Sequence, residues 1–138
     1  KNVAKAHSEN GSPTALPRGY ETMPEQAASG LWTTPSNLAK LVSVFMSSDG
    51  SKTAGFLSSD LVNDMLTNQF NSEWGLGPKI INHNGHKLIE HGGANDSYRA
   101  IFCIYPEKNV GYIVFTNGSN GMDLISEALP ILDEHCNI

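Results

Sequence analysis

The dipeptide Asn84-Gly85 stands between two stretches in which apolar and polar residues alternate, and no other feature limits the fold as much. Both residues tolerate positive φ, so the pair favours the tight type I′ turn that matches the twist of a two-stranded hairpin. The flanking stretches, 74–82 and 86–91, are expected as its strands. Residues 97–104 alternate again, with Tyr98, Ala100, Phe102 and Ile104 on one face. The segment Tyr105 to Asn109 then turns the chain, and Val110, Tyr112, Ile113, Val114 and Phe115 supply a further strand over 110–117. An antiparallel meander of three or four strands follows from this pattern. Its first strand leaves an edge open unless something pairs with it.

Helical periods flank the meander. Thr34 suits an N-cap and Pro35 the first helical position, after which Leu38, Leu41, Val42, Phe45 and Met46 form one apolar stripe over 34–48, ended by Ser47-Ser48-Asp49-Gly50. A shorter helix is expected after Ser58 or Ser59, with Leu61, Val62, Met65 and Leu66 inward. A last helix spans about 122–134, with Leu124, Ile125, Ala128, Leu129 and Leu132 on its apolar side and a kink at Pro130. Residues 1–30 are rich in Gly, Pro, Ser, Thr and Glu without an apolar period, so they read as a loop-rich arm that wraps over a larger region. The fold class is therefore α+β, an antiparallel meander with packed helices.

The 138 residues fit one domain. A net charge of −5 with no basic cluster argues against nucleic acid as partner. No run reaches the length of a transmembrane segment. Cys103 falls within a strand and reads as a small core residue, Cys136 lies near the end, and no C-x-x-C occurs, so the cysteines do not report a redox compartment. His83 and His86 flank the hairpin turn at i, i+3, but His7 and His135 do not join them, and no metal site or cofactor is expected. No pair of carboxylates stands out as a glycosidase dyad.

Four blocks follow one another in order: Ala28-Ser29-Gly30-Leu31-Trp32-Thr33-Thr34-Pro35 with Leu38-Ala39, then Trp74-Gly75-Leu76-Gly77, then His91-Gly92-Gly93-Ala94-Asn95, then Tyr105-Pro106-Glu107 with Thr116-Asn117-Gly118. Together they resemble the C-terminal part of the serine β-lactamase and penicillin-binding-protein-like hydrolases, in particular the class C and esterase-like branch. The resemblance covers roughly residues 1–125, about the last third of such an enzyme. Asn37 stands where the family usually has an aspartate, and the glycine usual near Ser97 is missing, whereas the aromatic residue is present as Tyr98.

The resemblance implies a chemistry, acyl transfer through a serine. It places His91 on the strand lining the active site as an auxiliary catalytic group, where many relatives carry lysine. There it would donate a hydrogen bond or tune the catalytic lysine and tyrosine. A histidine is mostly neutral at pH 7, so it holds a substrate carboxylate less firmly than lysine, which counsels against strong penicillin hydrolysis. Gly92, Gly93, Ala94 and Asn95 would bind substrate: the glycines let it lie close to the strand. A backbone N–H within 93–95 would give half of an oxyanion hole.

The nucleophile itself is absent from these residues. No lysine has a serine three positions before it, so S-x-x-K does not occur, and the only formal match to the second motif is Ser8-Glu9-Asn10 in the arm. The expectation is that residues 1–138 are a C-terminal fragment, with 1–30 as arm and 31–138 as helices and sheet, inactive alone. Its partners would be the upstream part of the same polypeptide, carrying S-x-x-K, and a small acyl substrate: a β-lactam, a D-alanyl peptide or a small ester. The resemblance implies a bacterial protein, exported to the periplasm or cell surface. The alternative is a non-catalytic binding or assembly module, and the isolated piece could form a domain-swapped dimer through its arm and open edge.

Overall fold

The computed structural model describes residues 2–46 and 57–138. Four strands, β1 (Lys79–His83), β2 (His86–Ala94), β3 (Arg99–Tyr105) and β4 (Val110–Thr116), pair antiparallel in sequence order. The helices are α1 (Gln26–Ser29), α2 (Pro35–Val42), α3 (Ser59–Met65) and α4 (Gly121–His135). The meander expected from the sequence is therefore present, and the fold class is α+β.

The hairpin turn is the one the dipeptide requires, with Asn84 and Gly85 both at positive φ (52° and 85°). The expected strand over 74–82 is shorter. Only Lys79–His83 joins the sheet, because Gly77 takes a φ of 119° and Pro78 has no N–H to give a ladder. Trp74 to Pro78 instead folds back on itself. Gly75 N–H donates to the Pro78 carbonyl, and Leu76 N–H donates to the Met65 carbonyl at the end of α3. A Cβ on Gly75 would collide with that Met65 carbonyl oxygen and meet Ile80 Cδ1 at 2.7 Å. Gly75→Ala is expected to cost about 2 kcal/mol, because the obstacle is backbone that cannot move aside. A thermal melt reads this directly, and an unchanged melting temperature would contradict the packing described.

Both faces of the sheet are covered at its centre. On one, Ile89 and Ile104 pack with Val42, Val44 and Phe45 and with Val62 of α3. On the other, Leu88, Cys103 and Tyr105 pack with Leu129 of α4. This explains why β3 carries a near-continuous apolar run, Ala100 to Tyr105, where a one-sided strand would alternate strictly.

Thr34 caps α2, its Oγ1 accepting from Asn37 N–H at 3.2 Å, with Pro35 in the first turn. The α-helix stops at Val42 and continues as a 3₁₀ turn over Ser43–Met46. The tighter winding changes the phase of the stripe. Val44 and Phe45 turn inward while Leu41 stays 48% exposed, contrary to expectation. The expected end of that helix, Ser47 to Gly50, lies outside the described residues. Ser58 caps α3. Leu61 and Leu124, expected inward, are 43% and 58% exposed. In α4 the inward stripe runs instead through Ile125, Leu129 and a buried Asp133, and the helix continues through Pro130.

The arm is largely irregular, as expected, but it is held by this chain. His7 N–H donates to the Asn117 carbonyl and Ser119 N–H to the His7 carbonyl, so the arm extends the sheet just past β4. Ala6 is buried beneath it, and Tyr98 Oη donates to the Ala4 carbonyl at 2.9 Å.

Candidate functional site

The strand β2 pairs with β3 along 89–94 but with β1 only as far as Glu90, opposite Lys79. Among the described residues, His91 to Ala94 therefore have a paired strand on one side and none on the other. In an antiparallel ladder successive residues direct their N–H and C=O groups to alternate sides. The hairpin closing at His83 and His86 directs the groups of Leu88 and Glu90 towards β1, and the same alternation directs those of Gly92 and Ala94 to the open side. The bond from Asn95 N–H to the Tyr98 carbonyl agrees with this phase, since it places Gly93 and His91 towards β3. Of the N–H groups of residues 93–95, the register leaves that of Ala94 on the open side.

The glycines here differ from Gly75. A Cβ on Gly92 would meet nothing nearer than the Ala100 carbonyl oxygen at 3.7 Å, and one on Gly93 only Ala100 Cβ at 3.9 Å. Neither takes a positive φ. No contact inside the described residues demands glycine at 92 or 93, so their effect is to leave the strand bare to whatever approaches it.

His91 is exposed on the face that carries Gly93 and Ala100. Its ring meets Trp74 edge-on, centroids 5.9 Å apart, and lies over Phe102 at 6.5 Å. The folding back of Trp74 to Pro78 brings the indole there. Asn95 meets the other diagnostic block: Ser29 Oγ donates to Asn95 Oδ1 at 3.3 Å. Trp32 stands edge-on to both Tyr20 and Tyr98, at 5.3 and 5.2 Å. The tip of the β2–β3 turn is held by Glu21, whose Oε1 accepts from the buried Ser97 N–H. Burial raises the Tyr98 hydroxyl's pKa, with the Glu21 carboxylate adding to it.

The structure thus places His91, Gly92, Gly93 and Ala94 on β2 and Asn95 directly after it, with Ser29 of the Ala28 to Pro35 block against Asn95 and Trp74 against His91. The S-x-N match does not join them. Ser8 Oγ is engaged with Asn10 Oδ1 and the Ser12 carbonyl in a turn of the arm. Sequence reasoning missed Glu21, whose carboxylate ties the turn that follows the strand.

Two concavities lie elsewhere. One of about 270 Å³ sits between α2 and β4, and one of about 510 Å³ is lined by His7, Asn117 and the start of α4. Neither of these two is lined by residues 91–95. Among the described residues no group of three or more His, Cys, Asp or Glu side chains could hold a metal. No helix among them is long and apolar enough to cross a membrane. Cys103 is buried, and burial pushes its thiol up to about 12, which leaves it un-ionised and unreactive.

The family model described as Beta-lactamase matches residues 1–134. The chain belongs to the β-lactamase family. Solved structures agree on the fold. The crystal structure of SurE superposes with a TM-score of 0.76 at 19% identity, over 99% of this chain and 33% of that one. The octameric penicillin-binding protein homologue from Pyrococcus abyssi does so with a TM-score of 0.50 at 24% identity, over 70% and 24% of the two chains. This β-lactamase-family chain therefore spans about a third of the one and about a quarter of the other. No curated protein matches it.

Proposed function

We propose that this chain forms one wall of a serine acyl-transfer site whose nucleophile lies in a part of the protein beyond these 138 residues. The observation that carries the reading is the open edge of β2, where, among the described residues, no strand pairs with 91–94 on the side away from β3 and no close contact demands the glycines. In this reading the serine of an S-x-x-K, with its lysine as base, attacks the carbonyl carbon of an ester or amide. A serine Oγ–carbon bond forms and the carbonyl oxygen becomes an oxyanion. Ala94 N–H donates to that oxygen, an interaction stronger in the tetrahedral state than in the substrate. The oxyanion then collapses, the leaving alcohol or amine departs with the proton taken from the serine, and water hydrolyses the acyl-serine. The substrate's extended part lies along Gly92 and Gly93. The whole protein is exported and bacterial in this account, and its substrate is a β-lactam, a D-alanyl peptide or a small ester.

The test is a pre-steady-state experiment with p-nitrophenyl acetate on the complete gene product. A burst of one nitrophenolate per protein supports an acyl-enzyme; release at the uncatalysed rate contradicts it.

His91 sets a further expectation. Its exposed imidazole beside Gly93 offers a hydrogen bond where a lysine would offer a full charge. His91→Lys should raise kcat/KM for benzylpenicillin relative to p-nitrophenyl acetate by about tenfold, the scale of placing a fixed charge opposite the substrate carboxylate. An unchanged ratio would remove His91 from the substrate's surroundings.

A further inference from the structure

Asn-Gly occurs four times in this chain, at Asn10-Gly11, Asn84-Gly85, Asn117-Gly118 and Asn120-Gly121. The dipeptide can react with itself. Glycine has no Cβ to shield its backbone nitrogen, so that nitrogen can approach the side-chain carbonyl carbon of the asparagine before it. Two restraints oppose the approach: hydrogen bonds that fix the asparagine amide, and a bond that occupies the glycine N–H.

Three of the four pairs are restrained where the arm, the end of β4 and the start of α4 meet. Asn10 Oδ1 accepts from Ser8 Oγ at 2.8 Å and from Ser12 N–H at 2.9 Å, and Gly11 N–H donates to the Ser8 carbonyl. Asn117 Nδ2 donates to the Lys5 carbonyl at 2.8 Å. Asn120 Nδ2 donates to the Glu9 carbonyl at 3.3 Å, and Gly121 N–H donates to the Gly118 carbonyl at the start of α4.

Asn84 differs. Among the described residues no group hydrogen-bonds to its side chain, and it is exposed together with Gly85 at the tip of the hairpin. Its φ of 52° is a left-handed conformation that a residue with a Cβ occupies at a cost, so leaving it meets little resistance. Loop tips open locally at low free energy. The strands on either side stay paired, Asn82 with Lys87 and His83 with His86, so only the two tip residues need to move. One restraint remains. Gly85 N–H donates to Asn82 Oδ1 at 3.1 Å, on a side chain that is itself exposed.

We infer that Asn84 is a site of spontaneous deamidation, and that the Asn82 side chain governs its rate. Hydroxide removes the Gly85 N–H proton, and the nitrogen attacks Asn84 Cγ. The N–Cγ bond forms, the Cγ–Nδ2 bond breaks, and ammonia leaves with a proton taken from water, which restores the hydroxide. Water then opens the resulting succinimide at either carbonyl and leaves aspartate or isoaspartate at position 84. One water is consumed, one ammonia is released and nothing is oxidised or reduced. The isoaspartyl product carries the main chain through the side-chain carbons. That lengthens a turn whose type depends on its length, and so loosens β1 from β2. The reaction needs no active site and is independent of the acyl transfer proposed above.

The experiment incubates the complete gene product in mildly alkaline buffer, folded and in parallel in urea, and follows the gain of one mass unit at each asparagine by peptide mapping. In the folded protein Asn84 should lead the other three pairs by about tenfold, the scale of the hydrogen bonds that hold them. In urea the four should react at similar rates. Asn82→Ala should speed the folded reaction at Asn84 by roughly fivefold, since it removes the acceptor of the Gly85 N–H. Modification of the folded protein that is absent, spread evenly over the four pairs or led by another pair would overturn the inference. So would a lead by Asn84 that persists undiminished in urea, or an Asn82→Ala rate no higher than the parent's.

Discussion

Ala94→Pro in the complete gene product should lower kcat by roughly 100- to 1,000-fold, the scale of removing one oxyanion donor, while the protein folds as before. Proline deletes one N–H, and in most strands that breaks a ladder bond. Here the register directs the Ala94 N–H to the open side of β2, where β1 has already ended. Proline is tolerated where its missing N–H faces away from the sheet. The preceding Gly93 carries no Cβ to clash with the ring, which eases the restriction proline places on its neighbour. Ala94→Gly, which keeps the N–H, should retain most of the activity. Kinetics with p-nitrophenyl acetate and a thermal melt separate the outcomes. A Pro variant that melts like the parent and turns over at the parent's rate would show that Ala94 N–H is not the donor.

The second large effect is on stability and lies on the opposite face. Asp133 is buried at 8% exposure on α4. Its Oδ1 accepts from Tyr105 Oη at 2.8 Å and Tyr112 Oη at 2.7 Å, and its Oδ2 lies 3.0 Å from His83 Nε2. One carboxylate thus joins α4 to β1, β3 and β4. Asp133→Ala would leave buried hydroxyls without an acceptor and should cost about 3 kcal/mol, or roughly 10 °C in melting temperature. Asp133→Asn, which keeps an acceptor oxygen, should lose less. Burial by itself would raise the carboxyl's pKa, but the bonds from Tyr112, Tyr105 and His83 outweigh it and hold the group below its ordinary 3.8. A depressed folded value means that the contribution is full above the unfolded value near 3.8 and disappears as pH falls through the lower folded one. Wild type should therefore lose stability below about pH 4, and Asp133→Asn should lose less over the same interval. An Ala variant melting within about 2 °C of wild type would contradict the network's role.

Much of the fold was legible because its signals are local. Asn84-Gly85 fixes the turn through φ, and Thr34-Pro35 starts α2 through one cap bond and one pre-set dihedral. The misreadings share a cause, which is that tertiary contact decided them. Leu41 and Phe45 lie on one ideal stripe, but the 3₁₀ turn after Val42 re-phases it. Trp74 to Pro78 alternates like a strand, yet Gly77 and Pro78 turn it back onto α3. The sequence singled out His91 to Asn95 and the Ala28 to Pro35 block, and the two meet through Ser29 and Asn95. The free edge was not legible, because it depends on β1 starting only at Lys79. Asp133 did leave a signal: it sits at i+4 from Leu129 and i+8 from Ile125, an acid within an apolar stripe, opposite strands carrying Tyr105 and Tyr112.

The measurement that bears most directly on the central claim is intact mass after incubation with a fluorophosphonate, made in parallel on the complete gene product and on the isolated 138-residue chain. The account predicts one adduct on the complete protein, mapping to a serine outside these 138 residues, and none on the isolated chain. An adduct on the isolated chain, or none on either, would contradict it.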